Sequence, residues 1–138
     1  MITFERVTQD LIEVIEEITN SNQNYNVMEN GRMTRTKEEL KKEYFDSSNQ
    51  TDTYFIKLDD TYIGLIDFLN HNPLDGFPWL GLLMIHRDYQ GYGFGTNAYL
   101  LFEEQLIQKD VQSVRLGILT NNEHAKTFWL SLGFNYVE

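Results

Sequence analysis

Ile85-His86-Arg87-Asp88-Tyr89-Gln90-Gly91-Tyr92-Gly93-Phe94-Gly95-Thr96 is the stretch on which the reading of this chain turns. Before it stands an uncharged apolar run, predicted as a strand over Pro78–Ile85 and apolar on both faces, as a central strand covered on two sides should be. After it, Ala98, Leu101, Phe102 and Leu106 recur at helical spacing and predict a helix over Gly91–Gln108. Glycines at 91, 93 and 95 allow a sharp turn and close approach of the backbone to a ligand. The first helical turn has N–H groups without intrahelical acceptors, and the helix dipole adds positive potential there. A pyrophosphate-bearing ligand on Gln90–Thr96 is therefore expected.

Two familiar phosphate loops do not fit. A P-loop requires Gly-Lys-Ser/Thr, and the segment here reads Gly95-Thr96-Asn97. A dinucleotide fingerprint wants Gly or Ala at position 96, an early place in the chain and an acidic residue ending the next strand. Position 96 is Thr, the motif is late, and the next strand ends at Leu119-Thr120-Asn121.

Working outward, Ile2 and Phe4 predict a short first strand, and Leu11, Val14, Ile15 and Ile18 a helix opened by Thr8 and Asp10. Asn20–Gly31 is polar and aperiodic and is read as a loop. Thr36 and Glu39 form a capping-box pattern ahead of a mostly solvated helix. From Asp52 the period becomes two, and Asp59-Asp60 joins a strand to its return, Tyr62–Leu69, as a hairpin. The loop Asn70–Phe77 leads to the central strand. Beyond the long helix, Val114, Leu116 and Ile118 alternate as a strand, and Ala125, Phe128, Trp129 and Leu132 mark a helix closed by Gly133. Phe134–Glu138 reads as the start of one more strand. The order of elements predicts a single mixed α/β domain over residues 1–138.

The chain has 138 residues, 41% of them hydrophobic and 14% aromatic, which supports one packed core. A formal charge of −10 and no Lys/Arg cluster argue against a nucleic-acid partner, and such a surface favours cationic small molecules. Met1–Asp10 carries acidic residues where a leader peptide needs a basic start. The longest apolar run is too short to cross a bilayer. No cysteine is present, which fits a reducing cytoplasm and leaves no thiol nucleophile or disulfide. No two histidines share an element at ligand spacing, so no metal is expected.

Gln90-Gly91-Tyr92-Gly93-Phe94-Gly95 resembles the Gln/Arg-x-x-Gly-x-Gly/Ala loop of the GNAT superfamily of N-acetyltransferases. Asn122-x-x-Ala125-x-x-Phe128-Trp129, followed by Gly133-Phe134, is similar to that family's second motif, at the right distance and in the right order. The resemblance implies a mixed, mostly antiparallel central sheet flanked by helices. It also implies acetyl-coenzyme A as cosubstrate, bound where two neighbouring strands splay apart. Main-chain groups of Leu83 and Ile85 would then pair with the pantetheine arm. N–H groups of Gly91, Tyr92, Gly93 and Gly95, with the Thr96 hydroxyl, would hold the pyrophosphate. Gln90 would sit at the mouth of that loop, and Asn122 would meet the pantetheine or thiol end from the other side. An amide near Leu83 would stabilise the oxyanion. The function implied is acetyl transfer to a primary amine by direct attack, with a non-catalytic acyl-coenzyme A sensor as the alternative.

At the usual proton-handling positions the chain departs from that family. Trp79 stands where some members carry a glutamate base, and Trp129 where many carry a tyrosine acid. The substitutes are Asp67, a charge in an otherwise apolar strand, and His71 in the following loop. His86 and His124 are read as surface residues beside helices, and Trp79 and Trp129 as core or cleft walls. The family's fold usually continues past Gly-Phe with two strands, whereas five residues follow Gly133 here. An unpaired sheet edge implies a longer native chain or a partner subunit, and hence an expectation of a homodimer.

Overall fold

A computed structural model describes residues 1–46 and 51–135. Its elements are β1 (Ile2–Arg6), α1 (Ile12–Asn20), α2 (Gln23–Asn30), α3 (Lys37–Phe45), β2 (Asp52–Leu58), β3 (Thr61–Leu69), β4 (Trp79–Ile85), α4 (Phe94–Gln108), β5 (Arg115–Leu116) and α5 (Glu123–Ser131), with short 3-10 turns at Gln9–Leu11 and Arg87–Tyr89. The five strands lie in the order β1-β2-β3-β4-β5. The first four pair antiparallel, and β4 with β5 is parallel. The sheet is thus mixed and mostly antiparallel, as expected.

Alternation along the hairpin sends neighbouring residues to opposite faces. Phe55 and Leu65 pack with Ile12, Ile15 and Ile18 of α1 and Leu40 of α3. Their neighbours Ile56 and Ile66 pack with Ala98, Tyr99 and Phe102 of α4 and Trp129 of α5. Both hairpin strands are therefore buried on two sides, each fully buried apolar side chain contributing roughly 1.5–3 kcal/mol. No helix among the described residues is long and apolar enough to cross a membrane.

The largest departure from the sequence reading is α2, which occupies most of the segment expected as a loop. It has no apolar stripe because hydrogen bonds, not an apolar face, seat it. Asn26 is buried and donates from Nδ2 to the Thr19 carbonyl at 3.0 Å and the Met33 carbonyl at 2.9 Å. Asn20 makes a two-way bond with the Arg35 main chain, at 3.0 and 2.8 Å. Gly31, at φ +76°, ends the helix in the left-handed conformation. Elsewhere the changes are of extent. The long helix starts at Phe94 rather than Gly91, because Gly91 and Gly93 take φ of +87° and +83°. Strand β5 is two residues long rather than five. Phe134 is outside any strand and packs on Trp129 and Tyr99, and residues 136–138, where the last strand was expected to run, lie outside the described residues. His86 is not a free surface residue: its side chain is 14% exposed, and Nδ1 accepts the Asp88 N–H at 3.0 Å.

The capping box is present in full. Thr36 Oγ1 accepts the Glu39 N–H at 3.2 Å, while Glu39 reaches back to the Thr36 N–H at 3.4 Å. A hydrogen bond from Arg32 is the main reason the Glu39 carboxyl is lowered to about 2. A lowered carboxyl stabilises the fold above its ordinary value of 4.5, and that contribution is lost as pH falls towards about 2. Thr36→Ala should lower stability by about 1 kcal/mol in urea denaturation at neutral pH. A variant as stable as the parent would show that α3 is held by Leu40 alone.

Candidate functional site

Strands β4 and β5 pair only at Trp79–Arg115 and Leu80–Leu116 among the described residues. Beyond Leu80 they part, and the reason lies on the other side of β4. There Asp67 is opposite Leu82 but Phe68 is opposite Leu80, so Gly81 is an extra residue, a β-bulge. A bulge reverses which main-chain groups face which neighbour. Below it, the Pro78 carbonyl accepts from Arg115 N–H at 2.9 Å, towards β5. Above it, His86 N–H donates to the Ile63 carbonyl at 2.7 Å, so even-numbered residues face β3. The main-chain groups of Leu83 and Ile85 therefore point into the gap between β4 and β5. An extended chain entering that gap can add to β4 as a strand would.

At the end of the gap lies the glycine loop. Among the described residues, no hydrogen bond uses the N–H groups of Gly91, Tyr92, Gly93, Phe94, Gly95 or Thr96, and the first helical bond there is Asn97 N–H to the Gly93 carbonyl at 3.0 Å. A Cβ built at Gly91 or Gly93 would meet nothing within 4 Å. These glycines are required by their positive φ, and the space over them is open. A diphosphate fits such a set of unspent donors at the head of a fifteen-residue helix.

Gln90 holds the loop from behind. Its Nε2 donates to the Ile85 carbonyl at 2.8 Å and to Asn22 Oδ1 at 2.7 Å, and Asn22 Nδ2 also donates to the Ile85 carbonyl, at 3.1 Å. The Ile85 carbonyl is thus taken up within the protein, which leaves its N–H and both main-chain groups of Leu83 facing the gap. Asn22 was not expected here. Its only sequence signal is its place among the asparagines of a segment without periodicity. Asn122 caps α5, its Oδ1 accepting the Ala125 N–H at 3.0 Å. Trp129 is 9% exposed and lies edge-on to Tyr99 at 5.2 Å, so it is a core residue. Trp79 donates from Nε1 to Asp75 at 2.9 Å, which fastens its ring to the loop before β4.

On the α1–α3 face of the sheet, beside the bulge, is a cavity of about 70 Å³. Asp67 lines its floor together with Gly81, Leu82 and Met84, and Tyr25, Asn26 and Glu29 of α2 and Glu43 and Tyr44 of α3 form its walls. Asp67 Oδ1 accepts from the Thr53 hydroxyl at 2.6 Å, and Oδ2 lies 3.0 Å from where a Gly81 Cβ would stand. The carboxylate thus leans over the bulge. Burial pushes its pKa above the usual range, against hydrogen bonds from Thr53 and Thr51. His71 is elsewhere. It is exposed, sits 3.6 Å from the Gly76 Cβ position within its own loop, and does not line the cavity.

A family model described as the acetyltransferase (GNAT) family matches residues 15–134. No curated protein matches the chain. Among solved structures, an acetyltransferase from Thermus thermophilus is similar at 22% identity and TM-score 0.87, over 100% of this chain and 89% of that one. The PaiA N-acetyltransferase from Thermoplasma acidophilum, solved in complex with coenzyme A, is similar at 17% identity and TM-score 0.74, over 99% and 91%. A ribosomal-protein-alanine N-acetyltransferase from Brucella melitensis is similar at 10% identity and TM-score 0.73, over 100% and 95%. At these identities the likeness is one of fold.

Gly93→Val separates the two roles a glycine can have in this loop. A side chain at φ +83° costs roughly 1–2 kcal/mol of folding stability. Standing in the open space above the N–H groups, it should weaken coenzyme A binding by about a hundredfold, equivalent to about 2.7 kcal/mol. Titration calorimetry and thermal denaturation on the same sample measure both. Equal losses would mean that the glycines serve the turn alone.

Proposed function

The chain belongs to the GNAT family of acetyltransferases, and from that premise we propose that it transfers acetyl from acetyl-coenzyme A to a primary amine entering by the Asp67 cavity. The observation that carries this reading is the position of Asp67, whose carboxylate leans over the bulge where the β4 edge opens. The cosubstrate's extended arm lies along Leu83 and Ile85. Its diphosphate is held by the N–H groups of Gly91, Tyr92, Gly93 and Gly95 and by the Thr96 hydroxyl. Gln90 positions this loop, and Asn122 borders the gap from α5.

The step is direct. The amine nitrogen attacks the thioester carbonyl carbon, the tetrahedral oxyanion is met by the Leu83 N–H, and the C–S bond breaks to release thiolate. A free amine of pKa near ~10 is mostly protonated at neutral pH, so a proton must first be removed. Asp67 accepts it, directly or through one water. The attacking nitrogen sheds its second proton to solvent as the tetrahedral intermediate collapses to the amide, and the departing thiolate takes one up from solvent, since the indole of Trp129 is a hydrogen-bond donor but not an acid. His71 has no part in this arrangement. The rival reading, a non-catalytic acyl-coenzyme A sensor, draws on the tryptophans at both customary proton-handling positions.

Coenzyme A and acetyl-coenzyme A should raise the melting temperature, and NAD and ATP should not. Stabilisation by NAD with none by coenzyme A would sink the cosubstrate assignment. Asp67→Asn should lower turnover by roughly a hundredfold, with coenzyme A affinity unchanged and His71→Gln near the parent. In the parent, turnover should fall as pH drops through a value above the ordinary carboxylate range, because the accepting form of Asp67 is then lost. The stability effect has the opposite sign. A carboxyl held above 3.8 in the fold favours folding below that pH, and the benefit disappears as pH rises through its folded value. Asp67→Asn should therefore be no less stable than the parent at neutral pH. Full turnover in this variant would remove the proposed base.

A further inference from the structure

The charges around the cavity say more about the acceptor than that it is an amine. Asp67, Glu29 and Glu43 line it, against one guanidinium, that of Arg35. Arg35 is spent on Glu43, with Nη1 to Oε1 at 2.7 Å, and on Glu39 at 3.5 Å. Asp67 has only hydroxyl donors, from Thr53 and Thr51, and Glu29 has the Tyr25 hydroxyl. Among the described residues two carboxylates thus stand without a cation, one half-buried on β3 and one on the exposed side of α2. A second observation points to a ligand. Thr19 also lines the cavity and is 3% exposed, and its hydroxyl oxygen has no hydrogen-bond partner among the described residues. Buried hydroxyls are nearly always bonded, so this one leaves the wall of the cavity short of a hydrogen-bond partner. The volume, about 70 Å³, suits an unbranched chain.

We propose that the acceptor carries two positive charges: a primary amine that reacts beside Asp67, and a second ammonium held by Glu29, as in an unbranched aliphatic diamine or a longer polyamine. This rests on the acetyl-transfer reading above and narrows its substrate class. The reacting nitrogen loses its proton to Asp67 while the second nitrogen stays charged. The distal charge thus contributes binding in both ground and transition states, and its effect belongs in KM.

The test is a matched pair, 1,5-diaminopentane against pentylamine, with saturating acetyl-coenzyme A and thiol release followed as initial rates. The diamine is expected to show kcat/KM about tenfold or more above the monoamine. Glu29→Gln should raise KM for the diamine by about the same factor and abolish the preference, whereas Glu29→Asp, which keeps the charge, should retain part of it. Glu29 is exposed, so neither variant threatens folding. Equal efficiency with both amines, or an unchanged diamine KM in Glu29→Gln, overturns this inference and leaves amine acetylation standing. Acetylation of a lysine-containing peptide in preference to either alkylamine also overturns it. No turnover of any amine would overturn the acetyl-transfer reading as well.

Discussion

A single extra residue in β4 sets the geometry on which the rest depends. Parallel strands pair through evenly spaced bonds, and β4 and β5 could have continued side by side past Leu80. The bulge at Gly81 turns the following residues about the strand axis, so the main chain that would have faced β5 alters its register. What remains is a strand edge at Leu83 and Ile85, set inside a sheet, where among the described residues only the Ile85 carbonyl has a partner. Main-chain groups withdrawn from water without partners are costly. An edge of this kind persists where a ligand completes it, and the family to which the chain belongs uses acetyl-coenzyme A.

The same bulge joins the β4–β5 gap to the Asp67 cavity. Gly81 lacks a side chain where the Asp67 carboxylate leans across, and any Cβ there would meet Oδ2 at 3.0 Å. The gap and the cavity are thereby brought to opposite sides of one residue. Asn22, Gln90 and the Ile85 carbonyl make a second connection, tying the start of α2 to the foot of the glycine loop by three hydrogen bonds of 2.7 to 3.1 Å. Arg87 N–H to Ser21 Oγ at 3.1 Å runs parallel to it. Helix α2 supplies Tyr25, Asn26 and Glu29 to the cavity wall. A loop that orders around diphosphate would therefore bear directly on the helix that shapes the Asp67 cavity, through polar contacts that tolerate little displacement.

What could be read from the sequence follows from which forces place each element. The strands and the α1, α4 and α5 helices bury apolar faces, and their periodicities were legible. So were the glycine loop, because positive φ demands glycine, and the capping box at Thr36. Helix α2 was not legible, since Asn22 and Asn26 hold it by side-chain bonds to main-chain groups outside the helix, those of Ile85, Thr19 and Met33, and no apolar periodicity encodes those. Asp67 stood out because a charge interrupts an apolar strand. His71 drew notice as a histidine in the loop that follows Asp67, and it does not line the cavity. Glu29, Thr19 and the partners of Gln90 needed the tertiary structure, because their relevance is a matter of neighbours far along the chain.

The tryptophan at position 129 closes the chemical argument. A tyrosine acid assists by protonating the leaving thiolate, yet a thiolate is an adequate leaving group without it, because thiols are far more acidic than alcohols or water. An amine nucleophile near ~10 is in the opposite position, since almost none of it is reactive until a proton is removed. Losing the acid therefore costs less than losing the base. Trp129 lies edge-on to Tyr99, Phe128 and Phe134 at centroid distances of 4.9 to 5.2 Å, joining α4, α5 and the chain beyond. At that position the chain has packing in place of a proton donor. On the cavity side a half-buried carboxylate leans over the bulge, and it is to this group that the proposed reaction gives the amine's proton.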